Sequence, residues 1–266
     1  MEKNYKIKIA YDGTRYYGWE HQPDRETIQG KIENVLGWML ITEGRLPDAD
    51  LRDRMKRQPI PDVIPDVIGA GRTDAGVHAR GMVASVRLDT PLSCDQIRNY
   101  CNRYLPDDIA IREVTEASDR FHARYKAVGK TYRYTVFDGD VRPVFNRKYY
   151  TFWEEPLDVE KMQQAAALLE GKHDFKSFCG NSRMKKSTVR LVDSIEIRRS
   201  KGYIYFTFHG TGFLQNMVRI LVGTLIQVGL GRMQPEDMTD ILEARDRKTA
   251  GPTAPAKGLC LMHVDY

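Results

Sequence analysis

The polar segment at residues 71–79, which reads GRTDAGVHA, carries the residue types best suited to chemistry. Its carboxylate, Asp74, can act as a nucleophile or as a base, and the neighbouring Arg72 would favour the ionised form of that carboxylate. His78 adds an imidazole, and the glycines of the segment allow backbone conformations that are closed to other residues. The segment predicts a catalytic loop, although an aspartate that only caps a turn fits the same pattern.

A second candidate residue is Arg219, which stands in the apolar segment 213–221, FLQNMVRIL. A cation that is buried alone on such a helix is costly, so this arginine requires an anionic partner. We expect Asp74 to be that partner. The alternative is that Arg219 lies on a narrow polar stripe and reaches solvent through its long side chain.

Aromatic and basic residues are interleaved in the segment 121–134, FHARYKAVGKTYRY. This mixture suits RNA, because guanidinium and ammonium groups meet phosphates while aromatic rings stack on unpaired bases. An amphipathic edge strand with exposed lysines is the alternative interpretation.

Basic charge is concentrated in two parts of the chain, although the net charge is only +5. Residues 119–150 contain eight lysines and arginines against three acids, and residues 183–201 contain seven against two. Such clusters indicate a polyanionic partner, nucleic acid first. A solvated basic face is the alternative.

The elements that must position these residues are strands and helices in alternation. Apolar alternation predicts strands at 5–12, 82–88, 109–114, 131–137, 191–197, 203–209 and 259–264. Helical periodicity and capping residues predict helices at 27–40, 93–106, 158–169, 213–228 and 235–244. This content indicates an α+β fold with two similar halves, 1–115 and 116–266. The stretch 42–66 has four prolines and no clear period, so we expect a long loop or insertion there.

The composition excludes several classes of protein. No apolar run reaches about 18 residues, so we expect no transmembrane helix, and the first residues lack the apolar core of a signal peptide. A cytoplasmic protein is therefore expected. None of the four cysteines belongs to a CxxC pair, so we expect neither a metal site nor a disulfide.

Together these segments resemble the tRNA pseudouridine synthase A family, and the resemblance runs nearly end to end. Its most specific motif is GRTDAGVHA at 71–79. The other matching motifs are Tyr11-Asp12-Gly13-Thr14 with Gly18-Trp19, Phe121-His122-Ala123-Arg124, Lys130-Thr131-Tyr132-Arg133-Tyr134, Asp174-Phe175 with Ser177-Phe178-Cys179, Phe213-Leu214 to Arg219, and Gly258-Leu259 with Leu261.

The resemblance implies an enzyme that isomerises uridine to pseudouridine in the anticodon stem-loop of tRNA (nucleotides 38–40), with Asp74 as the nucleophile. It implies that Tyr132 stacks on the flipped base and assists proton transfer, and that Arg219 pairs with Asp74. Arg72 would hold the extruded nucleotide in position. The further substrate-binding residues that the resemblance implies are His78, Arg124, Lys130 and Leu259.

The resemblance also implies the pseudouridine synthase α+β fold, a mixed and largely antiparallel sheet with flanking helices and a central active-site cleft. Family members pair as homodimers. The reaction is redox-neutral, so neither a metal nor an organic cofactor is expected.

Three departures from the family pattern bear on the substrate. Glu20 stands where the family usually has glutamine, Met82 stands where glutamine is common, and the stretch 42–66 is longer than expected. A change of substrate to a ribosomal RNA uridine is therefore one alternative. A non-catalytic RNA-binding protein on the same scaffold is another, but such a protein would not need a carboxylate at its centre.

Overall fold

A computed structural model describes residues 1–45, 61–181 and 183–266 of the chain. Within these ranges the chain forms two compact units, Met1–Ala127 and Val128–Tyr266. The division expected between residues 115 and 116 falls inside a strand of the first unit, Ile109–Ala117. Most of the predicted insertion, residues 46–60, lies outside the described residues.

The first unit contains six elements in its described part. These are β1 (Lys3–Tyr11), α1 (Ile28–Thr42), β2 (Ile68–Gly69), β3 (His78–Leu88), α2 (Cys94–Tyr104) and β4 (Ile109–Ala117). β1 pairs with β3 and with β4, and β2 pairs with β3, all antiparallel. The sheet therefore places the loop that leads into β3 beside the end of β1.

Local sequence accounts for these elements. In β1 the apolar side chains at every second position are buried while Lys8 is exposed, as the alternation predicts. Thr27 caps α1 by accepting a hydrogen bond from the backbone of Gly30, at 3.3 Å. The predicted capping box of α2 is confirmed, because Ser93 and Gln96 each accept a hydrogen bond from the other's backbone.

The second unit holds the remaining elements. These are β5 (Gly129–Phe137), β6 (Thr151–Phe152), α3 (Val159–Leu169), β7 (Gly171–Asp174), β8 (Val189–Ser200), β9 (Tyr203–Gly210), α4 (Met217–Gly229), α5 (Asp237–Ala244) and β10 (Leu259–Asp265). The strand order β10-β5-β9-β8-β7 is antiparallel throughout, and β6 joins β5 in parallel. The predicted α+β class with a mixed, largely antiparallel sheet is confirmed.

The turn between β8 and β9 follows from local sequence, whereas the start of α4 does not. Lys201 and Gly202 both have positive φ, which gives the tight two-residue hairpin that the sequence predicts. The helix predicted from residue 213 begins only at Met217, because Asn216 is left-handed, with φ of 59°. A left-handed residue cannot continue a right-handed helix, so Phe213 lies outside α4.

The helices of the described ranges are short relative to a membrane span. No helix in the described ranges is both long enough and apolar enough to cross a membrane.

Candidate active site

Asp74 lies in the loop between β2 and β3, and segment 16–19 holds the backbone on both sides of it. The amide of Trp19 donates to the carbonyl of Thr73 at 3.1 Å, and the amide of Gly76 donates to the carbonyl of Tyr16 at 3.2 Å. These hydrogen bonds fix the loop independently of the Asp74 side chain, which is half-buried.

Two glycines allow this close approach of backbone to backbone. A Cβ atom on Gly18 would lie 2.5 Å from the carbonyl oxygen of Thr73, and the φ of Gly18 is +93°. A Cβ atom on Gly13 would lie 2.0 Å from the carbonyl oxygen of Val77. Any side chain at either position would therefore displace the Asp74 loop.

The hydroxyl groups of Tyr11 and Thr73 share a buried hydrogen bond of 2.8 Å. Tyr11 is the last residue of β1, and Thr73 directly precedes Asp74. The bond therefore ties the Asp74 loop to β1. The Asp74 carboxylate therefore stands on a loop that is held by hydrogen bonds on both sides.

His78 is buried, at 4% exposure, at the start of β3. Its Nδ1 lies 3.0 Å from the amide of Gly13 and 3.1 Å from Oδ1 of Asp12. One nitrogen cannot accept from Gly13 and donate to Asp12 at once. We favour the neutral ring that accepts from Gly13, because this buried amide would otherwise lose its acceptor. Through this bond His78 holds Gly13, whose backbone lies close to the carbonyl of Val77.

Arg72 and Arg124, both predicted to bind substrate, line one cavity of about 180 Å³ in the first unit. Both side chains are exposed, and Nη2 of Arg72 forms an ion pair with Oε1 of Glu20. The remaining lining residues are Trp19, Gln29, Asp66, Val67, Ile68, Gly69 and Gly71. The nearest lining residue, Arg72, is two positions from Asp74 in the sequence, and the cavity presents two guanidinium groups.

Tyr132 lies on β5 of the second unit and is 8% exposed. The ring of Phe213 meets it edge-on, with centroids 5.3 Å apart and an interplanar angle of 85°. On the same strand Lys130 is half-buried, and Leu259 on β10 is buried opposite Tyr134. Phe213, which precedes α4, thus packs against the Tyr132 ring.

Arg219 is half-buried in the first turn of α4, and its partners include two neutral acceptors. Its Nε donates to the carbonyl of Ala254 at 2.7 Å, and its Nη1 donates to Oδ1 of Asn216 at 2.8 Å. Burial raises the pKa of the nearby Tyr134 hydroxyl, and the hydrogen bond from Thr151 and the positive charge of Arg219 partly offset that rise. The contacts with Ala254 and Asn216 therefore fix the direction of the Arg219 guanidinium group.

The structure groups the predicted residues within each unit. Arg72, Asp74, His78 and Arg124 belong to the first unit, and Lys130, Tyr132, Arg219 and Leu259 belong to the second. The pairing of Asp74 with Arg219 and the central cleft stay predictions. Sequence reasoning missed the contacts of Asn216 and Phe213, although the three-residue spacing of Asn216 and Arg219 was a usable signal.

In the described ranges no group of three or more histidine, cysteine or acidic side chains could hold a metal ion.

Comparison with known proteins gives consistent matches. The model of a family described as tRNA pseudouridine synthase matches residues 7–126 and 165–266. The chain is 44% identical over 264 residues to tRNA pseudouridine synthase A of Bacillus sp. strain KSM-64. The matched region covers 99% of this chain and 99% of the relative. It is 42% identical over 263 residues to the protein of that name from Moorella thermoacetica, covering 98% of each. The corresponding Geobacillus kaustophilus protein is 41% identical over 268 residues, covering 100% of this chain and 95% of the relative.

Proposed function

Because this chain belongs to the tRNA pseudouridine synthase family, we propose that it converts uridine to pseudouridine in the anticodon stem-loop of tRNA, with Asp74 as its nucleophile. The observation that carries this proposal is the rigid loop that presents Asp74, within a chain that matches its relatives from end to end. The enzyme is an isomerase that acts on tRNA.

The reaction exchanges one bond of the nucleoside for another. The bond between N1 of uracil and C1′ of ribose breaks, the base rotates, and C5 bonds to C1′. C5 loses a proton and N1 gains one, so atoms and electrons balance without a redox partner. The base must leave the RNA stack to be reached, as in other enzymes that modify bases.

Asp74 serves this exchange as a fixed carboxylate. It assists departure of the base either by adding to the nucleoside or by a glycal-type route that removes a sugar proton. Both routes require an ionised carboxylate held against the nucleoside, which the backbone hydrogen bonds of Thr73 and Gly76 support. No metal or organic cofactor has a part in this proposal.

Tyr132 and Arg219 serve the same step from the second unit. We assign the Tyr132 ring to stacking on the flipped base, and the edge-on contact with Phe213 supports this role because it fixes the ring plane. We assign Arg219 to keeping Asp74 ionised. Its contacts with Ala254 and Asn216 support this role by fixing the direction of the guanidinium group.

We assign RNA binding outside the catalytic loop to Arg72, Arg124, Lys130 and the ring of Tyr125. Tyr125 is 79% exposed, yet it is held in place. Its ring lies 4.2 Å from that of His122, centroid to centroid, and Nδ1 of His122 accepts hydrogen bonds from the amides of Arg124 and Tyr125. An exposed aromatic ring of fixed orientation beside a cation suits stacking on an unpaired base.

Replacing Tyr125 tests this surface. We expect Tyr125→Ala to weaken binding of a tRNA transcript about tenfold, since stacking of one base contributes on that order. Tyr125→Phe should bind as the wild type does, because the ring remains. The measurement is a titration of fluorescently labelled tRNA, with Val128→Ala as the control for loss of an exposed apolar side chain. Equal affinity for Tyr125→Ala would exclude a stacking role.

The substrate is tested by mapping pseudouridines in total RNA from cells with and without this gene. Loss of pseudouridine from tRNA anticodon arms is the expected outcome. Loss from ribosomal RNA alone, or no loss anywhere, would contradict the proposal. The names of the relatives favour tRNA over both alternatives.

We further propose that the protein acts in the cytoplasm as a homodimer, and an exposed apolar surface in the second unit supports the dimer. Val141, Val144, Phe145 and Tyr149 are all exposed, and Phe145 reaches 83%. The segment is nevertheless ordered by hydrogen bonds from Tyr149 to Asn146 and from Tyr150 to Pro143. Large apolar side chains fixed in exposed positions mark protein interfaces.

The double variant Val141→Ser, Phe145→Ser should raise the dimer dissociation constant at least about tenfold, because two buried anchor residues would be lost. Sedimentation equilibrium measures this constant, with Val189→Ser as the control at another exposed valine. A wild-type protein that stays monomeric would refute the homodimer. A variant that dimerises as tightly as the wild type would refute this surface.

A further inference from the structure

The ion pair between Arg72 and Glu20 lies in the wall of the cavity beside the catalytic loop. Both side chains are accessible to solvent, at 61% for Arg72 and 44% for Glu20. Within the described ranges, no other hydrogen bond or ion pair engages the Arg72 guanidinium. The Arg72 guanidinium, to which we assign RNA binding, is therefore already paired with the Glu20 carboxylate of the same unit.

The charges around this cavity are balanced. Arg72 and Arg124 contribute two cations, and Glu20 and Asp66 contribute two acids. A phosphate needs a guanidinium for a strong, two-pronged contact. While Glu20 engages Nη2 of Arg72, a phosphate must share the guanidinium with the carboxylate, which repels it at short range.

We propose that Glu20 competes with the RNA for Arg72 and thereby sets the affinity for tRNA and the rate at which the product leaves. In the free enzyme the carboxylate masks the guanidinium. In the complex a phosphate displaces it, and Glu20 returns when the product dissociates. The inference rests on the proposed RNA-binding role of Arg72, and it makes Glu20 a binding determinant with no part in the chemical step.

The variant Glu20→Gln tests the competition, because glutamine has the shape of glutamate without its charge. We expect the dissociation constant for an unmodified tRNA transcript to fall about three- to tenfold, the range for loss of one exposed ion pair and of its repulsion toward phosphate. The single-turnover rate of pseudouridine formation should stay within about twofold, since no transition-state contact is removed.

Two further readouts separate competition from a general effect on stability. When RNA displaces Glu20 of the wild type from Arg72, the freed carboxylate takes up a cation, which reduces the net release of ions on binding. Glu20→Gln lacks this uptake, so its plot of log affinity against log salt concentration should be steeper by up to about one unit. In an Arg72→Gln background, the effect of Glu20→Gln should shrink to the part that comes from repulsion between the carboxylate and the phosphate, because the competition acts through Arg72.

The matched control is Glu26→Gln, which removes an exposed carboxylate that pairs with Lys31 in the same unit. It should leave tRNA affinity unchanged. Thermal unfolding checks the fold of each variant, and Glu20→Ala must change affinity in the same direction as Glu20→Gln.

Unchanged or weaker tRNA binding by Glu20→Gln would overturn the proposal, and weaker binding would show that Glu20 orients Arg72 for the substrate. A wild-type enzyme that binds tRNA but forms no pseudouridine would instead overturn the proposed function. The two failures are therefore distinguishable.

Discussion

Asp74→Asn should lower the rate of pseudouridine formation by at least about 10⁴-fold, because an amide cannot replace a nucleophilic carboxylate. The loop itself should survive the change. Its support includes hydrogen bonds of the backbone groups of Thr73 and Gly76 and of the Tyr11–Thr73 hydroxyl pair, which the substitution leaves in place. Affinity for tRNA should therefore remain within about threefold of the wild type, since the phosphate contacts are retained.

Single-turnover assays on an unmodified tRNA transcript measure the chemical step, and filter binding measures affinity. Asp107→Asn, an exposed aspartate of the same unit, is the matched control and should be fully active. An Asp74→Asn enzyme with near-wild-type turnover would refute the catalytic assignment. A variant that loses binding and turnover together would show that Asp74 holds substrate.

Arg219→Lys should lower the single-turnover rate about 100-fold while keeping the positive charge. Lysine carries one ammonium group and cannot reproduce the separate contacts of Nε with Ala254 and of Nη1 with Asn216. Such a loss of activity would show that the reaction needs the orientation of the guanidinium group as well as its positive charge. Arg232→Lys is the control, because Arg232 makes an exposed ion pair with Glu155 in the same unit.

The companion variant Arg219→Gln removes the charge and tests its effect on Asp74. A nearby cation favours the ionised carboxylate, so its removal should favour the protonated acid. Since activity needs the ionised form, the acidic limb of the pH–rate profile should move to higher pH. An unshifted limb would contradict the proposed pairing, and an Arg219→Lys enzyme of full activity would contradict the requirement for fixed geometry.

The elements of the fold depend on interactions between near neighbours, and the sequence predicts most of them. The alternation in β1 and the capping box of Ser93 and Gln96 join residues at most a few positions apart. The hairpin at Lys201 and Gly202 is likewise local, because its twist requires only those two residues to have positive φ. The start of α4 was predicted wrongly, since apolar periodicity continues through Asn216 although its backbone is left-handed.

The candidate site likewise has features that the sequence predicts and features that it does not. The residue types and spacing of GRTDAGVHA named Asp74 as a candidate, and the end-to-end resemblance supplied its reaction. Spacing alone could not show that Gly18 lets its own segment of backbone approach the carbonyl of Thr73, or that Glu20 forms an ion pair with Arg72. These contacts join segments that come together only when the sheet forms.

The sequence by itself therefore determined the family, the chemistry and the local elements, because motifs and periodicity are properties of contiguous residues. The tertiary structure alone decided which hydrogen bonds hold the Asp74 loop and which carboxylate pairs with Arg72. Arg219 shows the physical reason, since its Nε bonds the carbonyl of Ala254, 35 positions away. A carbonyl is present in every residue, so only the folded backbone can select which one accepts the bond.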